Sequence, residues 1–192
     1  MRVLGISGSL RRGSYNSALL RAAAERLPAG VELVEFDGLR EIPPYDADAE
    51  LEATPEAVRR LREAIRGADA VLVATPEYNH SIPGVLKNAL DWASRPAGQS
   101  ALMGKPAAAI GASTGMFGAV WAQAETRKVL GALGGRVVET ELPVPAAAEH
   151  FENGRLNLTP EQSRRLEELL AELVSEAEEL QAALATRQQV AA

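Results

Sequence analysis

The feature that most constrains this chain is a regular alternation of short apolar runs with longer segments of helical periodicity. The apolar runs occupy residues 3–7, 31–36, 70–75, 107–113 and 136–142. The helical segments between them occupy residues 16–27, 55–66, 83–93 and 119–133. Several runs are apolar at every position, which is typical of strands that are buried on both faces of a parallel sheet. The alternation therefore predicts a doubly wound α/β fold with right-handed crossovers.

A long helix is predicted after the last strand, over about residues 160–188. Thr159 can act as its N-cap, Pro160 suits the first helical position, and Gln162 completes the spacing of a capping box. Apolar residues then recur in steps of four and three at Leu166, Leu170, Leu173, Ala177, Leu180 and Leu184. We expect the first half of this helix to pack on the sheet, whereas contact of the second half with another subunit stays open. Nothing indicates a domain boundary, so residues 1–192 are expected to form one domain.

The composition excludes several kinds of chemistry. The chain has no cysteine and only two histidines, His80 and His150, so disulfides, thiolate catalysis and Fe–S clusters are excluded and no metal site is expected. Any redox chemistry must therefore depend on a bound cofactor. The formal net charge of -6 argues against nucleic acid or an anionic membrane as the main partner. The sequence shows neither a transmembrane run nor a signal-peptide core, and we expect a cytoplasmic protein.

A polar loop, GSLRRGSYNS, lies between the first strand and the first helix, at residues 8–17. Ligands of open parallel sheets bind beyond the carboxyl ends of the strands, where a helix N-terminus offers free N–H groups and a positive dipole end. Short hydrogen-bond donors and an arginine, Arg11 or Arg12, make this loop suitable for phosphate oxygens. The donors are Ser9, Ser14, Asn16 and Ser17.

Several interpretations of this loop compete. The dinucleotide pattern G-x-G-x-x-G is absent, which counts against a dinucleotide at this turn. Gly8 and Gly13 have the spacing of a P-loop, but Ser14 stands where an NTPase needs its lysine. A single terminal phosphomonoester, such as that of FMN, suits the loop better. The alternative is a polar turn whose serines merely cap the helix.

A second constellation, TPEYNHSIPGVLKNALDW, begins where the third strand ends and covers residues 75–92. A turn rich in Pro, Asn and Ser leaves backbone N–H and C=O groups unpaired at the edge of the sheet, and a flavin ring needs alternating donors and acceptors along one edge. Tyr78 can flank such a ring, and Asn79 can bind its polar edge. His80 is either solvent-facing or within reach of a substrate, and the sequence leaves both possibilities open.

A third loop, GASTGMFG, follows the fourth strand at residues 111–118. Its small residues let the backbone approach a flat ligand, and Ser113 or Thr114 can donate a hydrogen bond to the ligand's edge. In a sheet of order 2-1-3-4-5, the ends of strands one, three and four are neighbours at the switch point. The three loops are therefore predicted to form one ligand site.

Together, these three motifs resemble the NADPH-dependent FMN reductase family, which includes flavin, quinone, azo-dye and chromate reductases. The resemblance implies a flavodoxin-like three-layer sandwich with a five-stranded parallel sheet of order 2-1-3-4-5 and a long C-terminal helix. It implies that Ser9, Arg11, Ser14, Asn16 and Ser17 surround the FMN phosphate. It also implies that Pro76, Glu77, Tyr78 and Asn79 line the isoalloxazine and ribityl groups, with Ser113, Thr114 and Gly115 closing the far side.

The function implied by the resemblance is transfer of electrons from NADPH or NADH, through FMN, to a small acceptor in a ping-pong cycle, with no catalytic side chain required. It also implies a homodimer or a homotetramer with the flavin near a subunit interface. Trp121 stands where relatives often have an arginine, and His80 differs from many relatives. A flavodoxin-like electron carrier and an FMN-binding sensor, neither of which turns over NAD(P)H, are the alternatives.

Overall fold

The computed structural model describes residues 1–191 and contains the predicted parallel sheet. The strands are β1 (Arg2–Ser7), β2 (Glu32–Glu35), β3 (Ala70–Ala74), β4 (Pro106–Ala112) and β5 (Arg136–Val137). They run in the order β2-β1-β3-β4-β5, and every neighbouring pair is parallel. The predicted strand order is therefore confirmed.

Helices cover both faces of this sheet. They are α1 (Tyr15–Ala24), α2 (Ala47–Glu52), α3 (Glu56–Gly67), α4 (Gly84–Ala93), α5 (Val120–Ala132) and α6 (Pro160–Ala191). Helices α1 and α6 pack on one face, and α3, α4 and α5 pack on the other. The result is the three-layer arrangement that the strand–helix alternation predicts.

Strands β3 and β4 are apolar throughout, and β1 is apolar between Arg2 and Ser7, because both faces of these strands are covered. In β1, Val3 belongs to the core under α1 and α6, whereas Leu4 and Ile6 belong to the core under α3, α4 and α5. All of β3 and β4 is buried. Alternate residues of one strand thus supply two separate hydrophobic cores, which explains why these runs lack polar positions.

The last strand differs from the prediction of one continuous segment over residues 136–142. Strand β5 has only two residues, and the chain pairs with β4 again at β6 (Pro143–Val144). The buried side chain of Gln123 fills the break, because its amide accepts a hydrogen bond from the Leu142 N–H and donates one to the Gly118 carbonyl, both at 3.1 Å. A side chain from α5 therefore replaces part of the ladder.

Three short elements were not predicted. They are a 3-10 turn (Gly38–Glu41), helix α2, and an antiparallel hairpin of β7 (Phe151–Glu152) and β8 (Arg155–Leu156). The hairpin did have a local signal, because Asn153 and Gly154 form its turn with φ of 51° and 79°. Asn-Gly is the preferred pair for such a two-residue turn.

Helix α6 begins as predicted. The Gln162 side chain accepts a hydrogen bond from the Thr159 N–H at 2.9 Å, and the Thr159 hydroxyl accepts one from the Gln162 N–H at 3.2 Å. This reciprocal pair confirms the capping box. The apolar residues of the first half are buried against the sheet, also as predicted, whereas Leu184 is 50% exposed. Among the described helices, none is long and apolar enough to cross a membrane.

The bridge made by Gln123 leads to a stability prediction. Replacing Gln123 with alanine leaves the Leu142 N–H and the Gly118 carbonyl without their partner in the core. We expect the free energy of unfolding to fall by about 2–4 kcal/mol, because each unpaired buried group is unfavourable by about 1–3 kcal/mol. Chemical denaturation measures this change.

A matched control is Gln181→Ala, which removes a solvent-exposed amide hydrogen bond to Asp69. This control should change the free energy of unfolding by no more than about 0.5 kcal/mol. Equal effects of the two substitutions would contradict the bridging role of Gln123.

Candidate functional site

Three loops meet at the carboxyl ends of the central strands. We call them the first loop (residues 8–14), the second loop (75–83) and the third loop (113–119). The Gly8 N–H donates to the Ala74 carbonyl at 2.8 Å, so the first loop starts in contact with β3. A Cβ atom on Gly8 would lie 3.0 Å from Leu86 Cδ2 and 3.2 Å from Pro76 Cδ. Glycine at this position therefore permits the close approach of the first two loops.

Asn16 ties the first loop to the end of β4. Its side-chain amide donates to the Ala112 carbonyl at 3.0 Å and accepts from the Ala112 N–H at 2.9 Å. The residue is buried, and both ends of the amide are occupied. Asn16 therefore holds the end of the first loop against β4 and fixes the start of α1 beside the third loop.

The hydroxyl groups of the first loop are partly used within the protein. The Ser14 hydroxyl accepts hydrogen bonds from the N–H groups of Asn16 and Ser17, at 3.2 and 3.1 Å, and so caps α1. The Ser17 hydroxyl donates to that of Ser7 at 2.9 Å. Ser14 therefore does cap α1, and its contact with a phosphate stays a prediction. The buried Ser14 hydroxyl is the acceptor in both bonds, so its hydrogen can still be donated, and the Ser9 side chain is half-exposed.

Two arginines act on the first loop from different sides. The Arg11 side chain is exposed, and its guanidinium lies 4.3 Å from the centre of the Tyr15 ring. This stacking on an aromatic face holds the cation beside the N-terminus of α1. Arg40, from the turn after β2, donates to the Leu10 carbonyl at 2.6 Å. No local pattern pointed to Arg40, because it lies in a separate segment of the chain.

The second loop contains a tight two-residue turn. Tyr78 and Ser81 exchange backbone hydrogen bonds of 3.0 and 3.1 Å, and Asn79 and His80 between them have φ of 53° and 61°. Two consecutive residues with positive φ define a type I′ turn. The turn leaves the Tyr78 ring 53% exposed at the edge of the site.

Glu77 connects the second loop to α5. Its Oε2 atom accepts hydrogen bonds from the N–H groups of Trp121 and Ala122, both at 3.1 Å. The carboxylate thus satisfies free N–H groups at the N-terminus of α5, where negative charge is favourable. Because of this bond, Trp121 lies directly beside the second loop.

Exposed aromatic side chains border the site at this point. The Trp121 ring packs edge-to-face against the His80 ring, at a centroid distance of 5.0 Å, and against the Phe117 ring, at 4.8 Å. We call these three residues the aromatic rim. Phe117 and Trp121 are 53% and 42% exposed, so the rim presents apolar surface to solvent. The sequence indicated neither the stacking nor its position beside Tyr78.

The third loop is held by the segment after β6. The Ser113 carbonyl accepts from the Ala147 N–H at 2.9 Å, and the Gly115 carbonyl accepts from the Ala146 N–H at 3.1 Å. Thr114 and Gly115 are exposed, and a Cβ atom on Gly115 would meet only the Ser113 Oγ, at 3.6 Å. The space over this backbone is therefore open to a flat group.

The site thus has two chemically different ends. The first loop offers a helix N-terminus, hydroxyl groups and the cation Arg11, a donor set that fits a phosphate group. The second and third loops offer exposed backbone, the Tyr78 ring and the aromatic rim, which fit a planar heterocycle. No cluster of three potential metal-binding side chains occurs within the described residues. A compound with a phosphate at one end and a flat ring at the other fits this arrangement.

The sequence and the fold resemble those of known proteins. The family model described as NADPH-dependent FMN reductase matches residues 1–149. An NAD(P)H-dependent FMN reductase of Pseudomonas aeruginosa is 55% identical over 132 residues, which are 68% of this chain and 69% of that protein. A quinone reductase of Pseudomonas putida is 44% identical over 154 residues, which are 79% of this chain and 82% of that protein.

A solved structure has the same fold over nearly the whole chain. FerB, a flavoenzyme NAD(P)H:(acceptor) oxidoreductase from Paracoccus denitrificans, superposes with a TM-score of 0.80 at 35% identity, over 93% of this chain and 97% of that one. The predicted flavodoxin-like fold and the predicted class, an FMN-dependent oxidoreductase, agree with these similarities. The chain belongs to the NADPH-dependent FMN reductase family.

Proposed function

We propose that this chain oxidises NADPH or NADH through a bound FMN and passes the electrons to a small aromatic acceptor. The observation that carries the proposal is the convergence of the three loops at the carboxyl ends of β1, β3 and β4. They leave a cationic end and a flat, exposed end side by side. The family match supports FMN as the compound that connects the two ends.

The first loop would hold the phosphate of FMN. Arg11 supplies the positive charge, and the N-terminus of α1 supplies N–H groups and the dipole. Ser9, Ser14 and Ser17 supply hydroxyl groups at the same end. Asn16 contributes indirectly, because its amide bonds to Ala112 fix where the helix begins.

The second and third loops would hold the ring and the ribityl chain. Pro76, Glu77, Tyr78 and Asn79 form one side, with backbone groups exposed around the type I′ turn. Ser113, Thr114 and Gly115 form the other side, where the absence of a side chain at Gly115 leaves room for a flat group. One face of the ring would then remain open to solvent beside the aromatic rim.

When bound, FMN would supply the redox chemistry of a ping-pong cycle, which is acceptance of a hydride from NAD(P)H and transfer of electrons to an acceptor. The protein's own residues bind and orient the reactants. We assign no side chain as a general acid or base, because the transfer of a hydride does not require one.

The aromatic rim favours the binding of an uncharged, planar acceptor such as a quinone. Aromatic rings bind one another by stacking and edge-to-face contact, and Phe117 and Trp121 offer exposed rings for this purpose. The charged groups in contact with the rim and the turn beside it are the carboxylates of Glu77 and Glu125. Negative charge disfavours anionic acceptors, and relatives named quinone reductase support the same choice.

A homodimer or homotetramer in the cytoplasm is part of the proposal. Leu180 and Leu184 lie on the part of α6 that extends beyond its buried half, and Leu184 is 50% exposed. These side chains provide apolar surface for contact with another subunit. The net charge of -6 is consistent with the absence of a nucleic-acid or membrane partner.

Anaerobic absorbance spectroscopy tests the function directly. The purified protein is reconstituted with FMN, and the flavin band is recorded before and after addition of one equivalent of NADPH or NADH. We expect the band to bleach rapidly with at least one of the two donors and to return on addition of a quinone. Reduction by dithionite but not by either nicotinamide would favour the electron carrier or sensor instead. Failure to bind FMN would overturn the proposal.

The role of Arg11 is tested by Arg11→Ala. Loss of a charge-assisted hydrogen bond should raise the Kd for FMN by about tenfold to a hundredfold, as measured by quenching of flavin fluorescence. The thermal stability of the apoprotein should hardly change, because the Arg11 side chain is exposed. Arg12→Ala, in the adjacent exposed arginine, is the matched control. A larger effect at Arg12 than at Arg11 would contradict the proposed role of Arg11 and would assign the phosphate contact to Arg12.

The role of the aromatic rim is tested by Trp121→Ala. We expect KM for an uncharged quinone to rise by about two- to tenfold, which corresponds to the free energy of one lost aromatic contact. The KM for chromate, an acceptor without a ring, should stay unchanged. Parallel changes for both acceptors would contradict the proposed selectivity.

A further inference from the structure

Two carboxylates connect the second loop with α5, one contributed by each of the two segments. Glu77 of the second loop binds the N–H groups of Trp121 and Ala122 at the start of α5. In return, Glu125 of α5 binds the second loop, because its Oε2 accepts from the Ser81 hydroxyl at 2.5 Å and from the Ile82 N–H at 3.4 Å. We call Glu77 and Glu125 the carboxylate clamp.

The segment between the two ends of the clamp is the type I′ turn of Tyr78–Asn79–His80–Ser81. Such turns favour Asn-Gly, because glycine adopts positive φ without a steric penalty. Here the second position is His80, with φ of 61°. A side chain with a Cβ atom is strained in this conformation, which persists only where surrounding contacts enforce it.

The hydrogen bond between Glu125 and Ser81 stabilises the turn rather than the start of α5. The N–H groups of Trp121 and Ala122 at the start of α5 are already bound by Glu77. Glu125 lies in the second turn of α5, and its partners Ser81 and Ile82 both belong to the second loop. Its effect is to hold the end of the strained turn against the body of the protein.

We propose that Glu125 is a positioning residue, which fixes the Tyr78–Ser81 turn in the geometry that binds the flavin edge. The inference rests on the proposed function, since the turn carries Tyr78 and Asn79. Glu125 reaches FMN only through Ser81 and the backbone of the turn. Without it, the turn samples other conformations, and part of the binding energy for FMN is used to restore the strained one.

The experiment measures FMN affinity in Glu125→Ala, Ser81→Ala and the double variant. Each single substitution should raise the Kd for FMN by about three- to tenfold, as expected for one lost hydrogen bond. The double variant should be no weaker than Glu125→Ala, because the bond lost in Ser81→Ala is already absent when Glu125 is replaced. The matched control is Glu172→Ala, which removes a carboxylate that accepts from the Thr140 hydroxyl on another face of the protein. Its Kd for FMN should equal that of the wild type.

Rescue by glycine distinguishes positioning from a general loss of structure. Adding His80→Gly to Glu125→Ala removes the strain that the clamp opposes, so the Kd should return to within about twofold of the wild type. A mere destabilisation of α5 would not respond to a change in the turn. If Glu125→Ala unfolds the apoprotein, the same rescue is measured in Ser81→Ala, which removes the hydroxyl bond to Glu125 and leaves α5 unchanged.

The outcomes separate this inference from the proposed function. An unchanged Kd in Glu125→Ala, or a weakened Kd that His80→Gly does not restore, overturns the positioning role while FMN binding by the wild type still supports the function. A wild-type protein that does not bind FMN overturns both. Weakened binding in both single variants, non-additivity and rescue together establish the role of Glu125.

Discussion

Burial of the central strands on both faces is the constraint on which the rest of the structure depends. Strands β3 and β4 are buried along their whole length, because α1 and α6 cover one face of the sheet and α3, α4 and α5 cover the other. Neither face of these strands is left for a ligand. Binding must therefore use an end of the sheet, and at the carboxyl end the helices present their positive N-termini.

Irregular loops at that end are kept in place by a few side chains that bond to backbone groups. Asn16 uses both ends of its amide on Ala112, and Gln123 bridges the Leu142 N–H and the Gly118 carbonyl. Both amides are buried, where an unpaired backbone group is unfavourable. These two side-chain amides hold the loops by hydrogen bonds to backbone groups, as strand pairing holds the sheet. The first and third loops therefore stay near each other although they lack regular secondary structure.

The sequence was sufficient for the features that depend on local pattern, and insufficient where distant residues meet. The capping box of Thr159 and Gln162 was predictable because both partners lie within one helical turn. Asn16 was predicted to contact a phosphate, but its amide is bound to Ala112, 96 positions away. Either role places an asparagine at a helix N-terminus, so the local sequence cannot distinguish them. Glu125 likewise gave no signal, since its partner Ser81 is 44 positions away.

The distribution of charge explains how an acidic chain can bind an anionic cofactor. Arg11 lies beside the N-terminus of α1, and Arg40 holds the Leu10 carbonyl, so positive charge is concentrated at the first loop. The carboxylates of Glu77 and Glu125 lie at the other end, and each is bound by N–H or O–H donors. A phosphate is attracted to the first end, while the second end disfavours it. Under the proposed function, the same separation would orient a phosphorylated ring and would leave its exposed face in an environment suited to uncharged acceptors.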